Sequence, residues 1–191
     1  MKEALRVLNF SEADPARLEV WLNLAHARMK EVHANRYKEW ALARLCLELC
    51  LEDLGLVRRA QDLVFKSEHL LDGIPSVSFS LSHTKTWAAA LLASTQIARL
   101  VGVDVELKTR KVPDNVKHRL LHPQDSKLPS MELWVIKEAA FKSLPRLAQE
   151  GIWLNNIIVR DGHFELESSP FKGRFELSDL GEVMLAKAYY E

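Results

Sequence analysis

Cysteine is scarce in this chain. Cys46 and Cys50 are the only two among 191 residues. They stand four positions apart in a helical pattern, which excludes the disulfide framework of a small secreted domain and suits two thiols in a reducing compartment. No further ligands stand at zinc spacing from them. Charge of one sign is also lacking, since Lys+Arg and Asp+Glu are equal at 26 each. A general nucleic-acid binder, which carries a basic excess, is therefore not expected, although local basic patches are allowed. Long apolar runs are missing too. The longest, Trp87 to Ala93, is far too short to span a bilayer, and Met1–Asn9 lacks an apolar stretch of secretory length. No segment is low-complexity and no short repeat is evident. These absences lead to the expectation of a cytoplasmic protein with no nucleic-acid or membrane partner.

About half the residues are hydrophobic (48%), so a normal core can form, and the length suits one large domain or two small lobes. Helical spacing runs over residues 16–34 and, more clearly, over 36–54. The second helix is apolar around most of its circumference and stops at Gly55. Arg44 lies within it, either snorkelling to solvent or anchored toward an anion. Ser76–His83 alternates strictly, with Val77, Phe79 and Leu81 on one face and Ser78, Ser80 and Ser82 on the other, which predicts a strand with one polar face. Trp87–Ala93 and Leu100–Glu106 read as two more strands, joined as a hairpin around Ser94-Thr-Gln96. A short helical patch, Val116 to Leu121, is expected in the proline-bearing stretch 113–130. A helix over Met131–Leu144 follows, ended by Pro145. Strand-like segments come near Ile157–Arg160, His163–Glu167, Arg174–Leu177 and Met184–Tyr190. The expected class is α+β, with two lobes over 1–98 and 99–191, each a small antiparallel sheet packed with helices.

Two segments carry the chemistry. Val101-Gly-Val-Asp-Val-Glu106 places Asp104 and Glu106 at i and i+2, so both carboxylates leave one face of a strand while the valines leave the other. Gly102 permits close approach of another backbone or a ligand. Trp134-Val-Ile-Lys-Glu-Ala-Ala-Phe-Lys142 places Glu138 and Lys142 at i and i+4, projecting together from a helix whose apolar stripe is Leu133, Ile136, Ala140 and Leu144. Lys137 borders that face. Taken singly, the carboxylates fit the polar face of a half-buried strand, and Glu138 with Lys142 fits a surface salt bridge. Together, three carboxylates near cations are what a Mg²⁺ site for phosphate chemistry requires.

Gly-Val-Asp-Val-Glu followed by Trp-x-x-Lys-Glu-Ala-x-x-Lys resembles the signature of the 4′-phosphopantetheinyl transferases. Phe79-Ser-Leu-Ser-His83 resembles the serine-histidine motif of the larger, surfactin-synthetase-activating (Sfp-type) class, and Glu39-Trp-Ala-Leu-Ala-Arg44 its arginine-bearing helix. The resemblance covers residues 30 to 191, with Glu150-Gly-Ile onward similar to the C-terminal strands. It implies a pseudo-dimer of two similar α+β lobes, an active site in the cleft between them, and a functional monomer.

The implied reaction moves 4′-phosphopantetheine from coenzyme A to a serine of an apo acyl or peptidyl carrier protein and releases adenosine 3′,5′-bisphosphate. By position, the resemblance implies that Asp104, Glu106 and Glu138 hold Mg²⁺, with Mn²⁺ as an alternative. Glu138 would accept the serine proton, directly or through a metal-bound water. Lys137 and Lys142 would bind the phosphates, Lys142 also stabilising the leaving group. Arg44 and His83 would hold the 3′-phosphate, with Ser82 hydrogen-bonding nearby and Lys30 and Arg36 as further candidates. Here Gly73-Ile74-Pro75 stands where the family commonly has Gly-Lys-Pro, Thr84 where serine is usual, and Glu150 where a lysine is usual. Two other readings stay open: a non-catalytic relative that binds coenzyme A or a carrier protein, and an unrelated Mg²⁺-dependent phosphohydrolase.

Overall fold

The computed structural model describes residues 3–29, 33–56, 62–65 and 69–191. Lys30, one of the expected phosphate candidates, lies outside them. The chain forms two compact units, Met1–Ser94 and Thr95–Glu191. Among the described residues the fold is α+β, with five α-helices and two antiparallel sheets. No described helix is long and apolar enough to cross a membrane.

The first unit is a four-stranded sheet, β1 (Glu3–Asn9), β2 (Leu70–Leu71), β3 (Ile74–His83) and β4 (Trp87–Ser94), in the order β1-β4-β3-β2. It carries helices α1 (Pro15–Arg28) and α2 (Ala34–Asp53). The start of α1 is set locally: the Asp14 side chain accepts from Arg17 N at 3.0 Å, and Pro15 takes the first helical position, where no backbone donor is needed. The helix ends at Arg28, earlier than its apolar spacing suggests. Gly55 stops α2 at φ +71, a conformation that glycine adopts without a Cβ clash. On α2, Leu42, Leu45, Leu47 and Leu51 are buried as its apolar circumference predicts. Cys46 and Cys50 are free thiols that donate to the β4 carbonyls of Ala88 and Ala90 at 3.6 and 3.3 Å. The alanine run of β4 keeps that face thin beneath α2. Burial pushes the Cys46 thiol up to about 12, so it stays protonated.

Two expectations change here. The hairpin between Trp87–Ala93 and Leu100–Glu106 does not form. β4 pairs with β1 along Glu3↔Ala93 to Asn9↔Trp87 and with β3 on its other side, so both its edges are taken. The turn after Ser94 leads into the other unit's sheet instead. β1 itself, a mixed apolar and charged segment, becomes a strand through that pairing. The serine face of β3 is also covered: Ser78, Ser80 and Ser82 are all buried.

The second unit is a five-stranded sheet built from β5 (Leu100–Leu107), β6 (Ile157–Arg160), β7 (His163–Leu166), β8 (Lys172–Asp179) and β9 (Val183–Tyr190), in the order β5-β9-β8-β7-β6. Helices α3 (Asp114–Leu120), α4 (Ser130–Ser143) and α5 (Arg146–Gln149) lie between β5 and β6 in the chain. The α4 stripe of Leu133, Ile136, Ala140 and Leu144 packs with Ile157, Val159, Phe164, Ala186 and Ala188 in one core. β5 pairs with β9 from Leu100↔Tyr190 to Leu107↔Val183 and forms the sheet edge. Gly102 is where α4 crosses β5. A Cβ there would sit 1.9 Å from the Ala139 carbonyl oxygen, so only glycine lets the helix settle at this depth. The close crossing brings the α4 side chains onto the strand face that bears Asp104 and Glu106.

Candidate functional site

The second unit brings Asp104, Glu106, Glu138 and Lys142 together. Gly102, Asp104 and Glu106 share one face of β5, and α4 lies on that face through the Gly102 contact. Asp104 and Glu106 are 5% and 8% exposed, so these are buried carboxylates rather than a solvated strand face. Lys142 Nζ donates to Asp104 Oδ1 at 2.7 Å and to the Val103 carbonyl at 3.2 Å. Arg110 Nη1 pairs with Glu106 Oε1. Its guanidinium lies 5.2 Å from the Trp134 ring centroid, so the first residue of the α4 motif positions a cation at the strand's end.

The electrostatics show how tightly the carboxylates crowd. Burial first, then the charge of Asp104 and to a lesser degree that of Glu138, raise Glu106 to about 7 against the opposing charges of Arg110 and Lys142. Glu138 is raised by burial first and by Asp104 second, against Lys142 and Arg110. Three acids thus share one partly desolvated place with two cations. A bound cation would favour the charged forms of Glu106 and Glu138, which burial and mutual repulsion disfavour, and the all-oxygen donor set suits Mg²⁺. The fit lies in the donor chemistry. Among the described residues no three His, Cys, Asp or Glu side chains already stand as a metal-coordinating group. Asp104 Oδ1 and Glu106 Oε1 are engaged by Lys142 and Arg110.

Lys137 has a different place. Its ammonium is fully buried, donating to Asp125 Oδ2 at 2.7 Å and to the Leu120 carbonyl at 2.8 Å. Burial lowers its pKa while Asp125 works against that. Asp125 also accepts from His122 N at 2.8 Å and Val159 N at 3.0 Å. The pair ties the loop after α3 to α4 and β6. A phosphate role for Lys137 would require that pair to open, so the site is built without it.

In the first unit, α2 organises the expected nucleotide-end residues. His83 Nδ1 is 3.5 Å from Glu39 Oε2, and Arg36 Nη1 is 3.7 Å from the same oxygen. Ser82 is buried beside His83 on β3. Arg44 is stacked on Trp40, its Cζ 3.8 Å from the ring centroid, with Phe65 at 5.3 Å. It donates to the Trp40 carbonyl at 3.3 Å, and its buried Nε has no hydrogen-bond partner. No carboxylate among the described residues pairs with it. Burial, then the like charge of Arg28, lowers Arg44 to about 10, still far above neutrality. Arg44 is therefore a partly buried cation stacked on Trp40, with no carboxylate partner among the described residues.

Arg110, Glu39, Arg28 and Asp125 were not singled out for these contacts from sequence. Arg110 alone had a local signal, its i,i+4 spacing from Glu106. Glu39 and Asp125 meet partners 44 and 12 positions away, as the numbering of His83 and Lys137 shows. No protein-family model matches this chain, and no curated protein matches it.

Proposed function

We propose that this chain is a Mg²⁺-dependent transferase that moves 4′-phosphopantetheine from coenzyme A to a serine of an apo acyl or peptidyl carrier protein. The observation that carries the proposal is the meeting of Asp104, Glu106, Glu138 and Lys142 where α4 crosses β5. These are the residues through which the two motifs resemble the phosphopantetheinyl transferases. We take the two units as related lobes of a pseudo-dimer acting as a monomer.

In this reading Asp104, Glu106 and Glu138 would hold the metal ion, which when bound would neutralise and orient the pyrophosphate. Glu138, its pKa raised by burial and by Asp104, is suited to accept the serine hydroxyl proton. The serine oxygen forms a bond to the phosphorus that bears pantetheine. The bond from that phosphorus to the bridging oxygen breaks, and adenosine 3′,5′-bisphosphate leaves with the electron pair. Lys142 neutralises charge developing on the leaving group. Arg44, a partly buried cation without a carboxylate partner among the described residues, and His83 serve the 3′-phosphate, with Ser82 nearby. Lys137 holds the loop after α3 and touches no substrate.

Apo carrier protein, coenzyme A and Mg²⁺ are incubated with the enzyme, and the carrier is weighed by intact-protein mass spectrometry. A gain of one phosphopantetheine is expected. Coenzyme A binding with no mass gain would overturn transfer in favour of a non-catalytic relative. Hydrolysis of coenzyme A without an acceptor would favour a phosphohydrolase.

A further inference from the structure

Arg110 stands in a place that the proposed chemistry does not use. It lies just past the end of β5, where its backbone N–H donates to the Leu107 carbonyl at 2.9 Å and turns the chain. That turn returns the guanidinium to Glu106, four residues back, while Trp134 of α4 flanks it. Arg110 favours the charged form of Glu138 as well as that of Glu106. Its side chain is 49% exposed, whereas that of Glu106 is 11% exposed.

Lys142 is the other cation on the cluster, and it is held differently. Its acceptors include Asp104 Oδ1 and the Val103 backbone carbonyl, and its side chain is 28% exposed. Releasing Lys142 would break its contacts with both Asp104 and the Val103 carbonyl and move a more buried ammonium. Releasing Arg110 breaks one ion pair and leaves a cation already half in water. The contact that yields most readily is therefore Arg110 on Glu106.

We infer that Arg110 is an internal counter-ion of the carboxylate cluster, displaced from Glu106 when a divalent cation enters, so that it competes with the metal and sets its affinity. The inference rests on the metal reading of Asp104, Glu106 and Glu138 given above. A two-charge ion repels the guanidinium and needs the oxygen it occupies. Each binding event then includes the loss of the Arg110–Glu106 pair and the movement of Arg110 relative to Trp134. The cost is that of a half-exposed ion pair, so the competition is modest rather than prohibitive.

The test titrates Mn²⁺ into the full chain without coenzyme A, by calorimetry, for wild type, Arg110→Ala, Arg110→Lys and Asp104→Ala. Arg110→Ala is expected to bind about two- to fivefold more tightly than wild type, the range that a half-exposed pair corresponds to. Arg110→Lys, which keeps the charge, is expected to stay near wild type. Intrinsic fluorescence should change on Mn²⁺ binding in wild type, and Trp134→Phe should lose most of that change. Equal or weaker binding by Arg110→Ala, with Asp104→Ala impaired, would overturn the counter-ion role and leave the metal reading standing. Absence of Mn²⁺ binding in wild type and Arg110→Ala alike, or unimpaired binding by Asp104→Ala, would overturn the metal reading and this inference with it.

Discussion

Replacing Lys137 with methionine separates a structural role for this lysine from a phosphate-binding one. The side chain is 0% exposed and its partner Asp125 is 5% exposed. Methionine keeps most of the volume, so the cost comes from the lost charge and not from a cavity. The substitution removes the 2.7 Å contact to Asp125 and the 2.8 Å donation to the Leu120 carbonyl. Breaking a buried pair from one side costs about 3–5 kcal/mol, because the surviving charge stays desolvated. Asp125 keeps two backbone donors, His122 N and Val159 N, which places the expected loss at the lower end, about 3 kcal/mol. With a urea slope of about 2 kcal/mol/M, the unfolding midpoint should fall by about 1.5 M. The double variant Lys137→Met with Asp125→Asn should lose less than the sum of the single losses, by about 1–3 kcal/mol, because no unpaired charge is left behind. The KM for coenzyme A should stay near wild type in the fraction that folds. A stability loss below about 1 kcal/mol, coupled to a several-fold rise in that KM, would refute the reasoning and put the ammonium at the phosphates.

Further outcomes follow from the same contacts. Glu106 holds its proton up to about pH 7 in the folded chain, against an ordinary value of 4.5, so the native state binds the extra proton between those values. Stability in metal-free buffer should therefore fall as pH rises from about 4.5 to about 7, with Glu138 adding in the same sense, and Glu106→Gln should flatten the slope in urea titrations at several pH values. His83→Ala should discriminate less well between coenzyme A and 3′-dephospho-coenzyme A, by about 1.5–3 kcal/mol if His83 donates to that phosphate; an unchanged preference ratio in initial-rate assays would place His83 elsewhere. On α3, Lys117 pairs with Asp114 at 2.7 Å, and Arg119 lies 4.5 Å over the half-exposed Trp153. Reversing both cations to glutamate should raise the KM for an acidic carrier and flatten its salt dependence while leaving coenzyme A kinetics alone; unchanged carrier kinetics at low salt would move docking to another surface.

Much of the second unit was legible because its signals are local. The stripe of Leu133, Ile136, Ala140 and Leu144 has helical period, and α4 spans Ser130–Ser143. The four C-terminal strand segments alternate or run apolar between turns, and all four are strands. The pairing of Asp104 with Lys142 was partly legible, since each motif fixes its own face and Gly102 signals a close approach. What was not legible depends on partners distant in sequence. The false hairpin after Ser94 looked sound because two apolar runs with a polar link have the same pattern whether they pair with each other or enter separate sheets. The resemblance implied a phosphate role for Lys137, whereas adjacent helix positions point about 100° apart and Lys137 turns away from the Glu138 face. Its neighbour was Asp125, in a loop whose course no local pattern records. Arg44 gave two readings from sequence, and its stacking on Trp40, a residue on the same helix, was not among the local signals.

The most direct test of the carboxylate site is the rate of carrier modification by Asp104→Ala, followed by intact-protein mass spectrometry at saturating coenzyme A and Mg²⁺. Removing Asp104 leaves Val101, Val103 and Val105 buried on the opposite face of β5, leaves Lys142 its bond to the Val103 carbonyl, and relieves repulsion on Glu106 and Glu138. The variant should therefore fold, with an unfolding midpoint near wild type, and yet add no phosphopantetheine to the carrier. A folded Asp104→Ala enzyme that modifies the carrier at a near-normal rate would contradict the account.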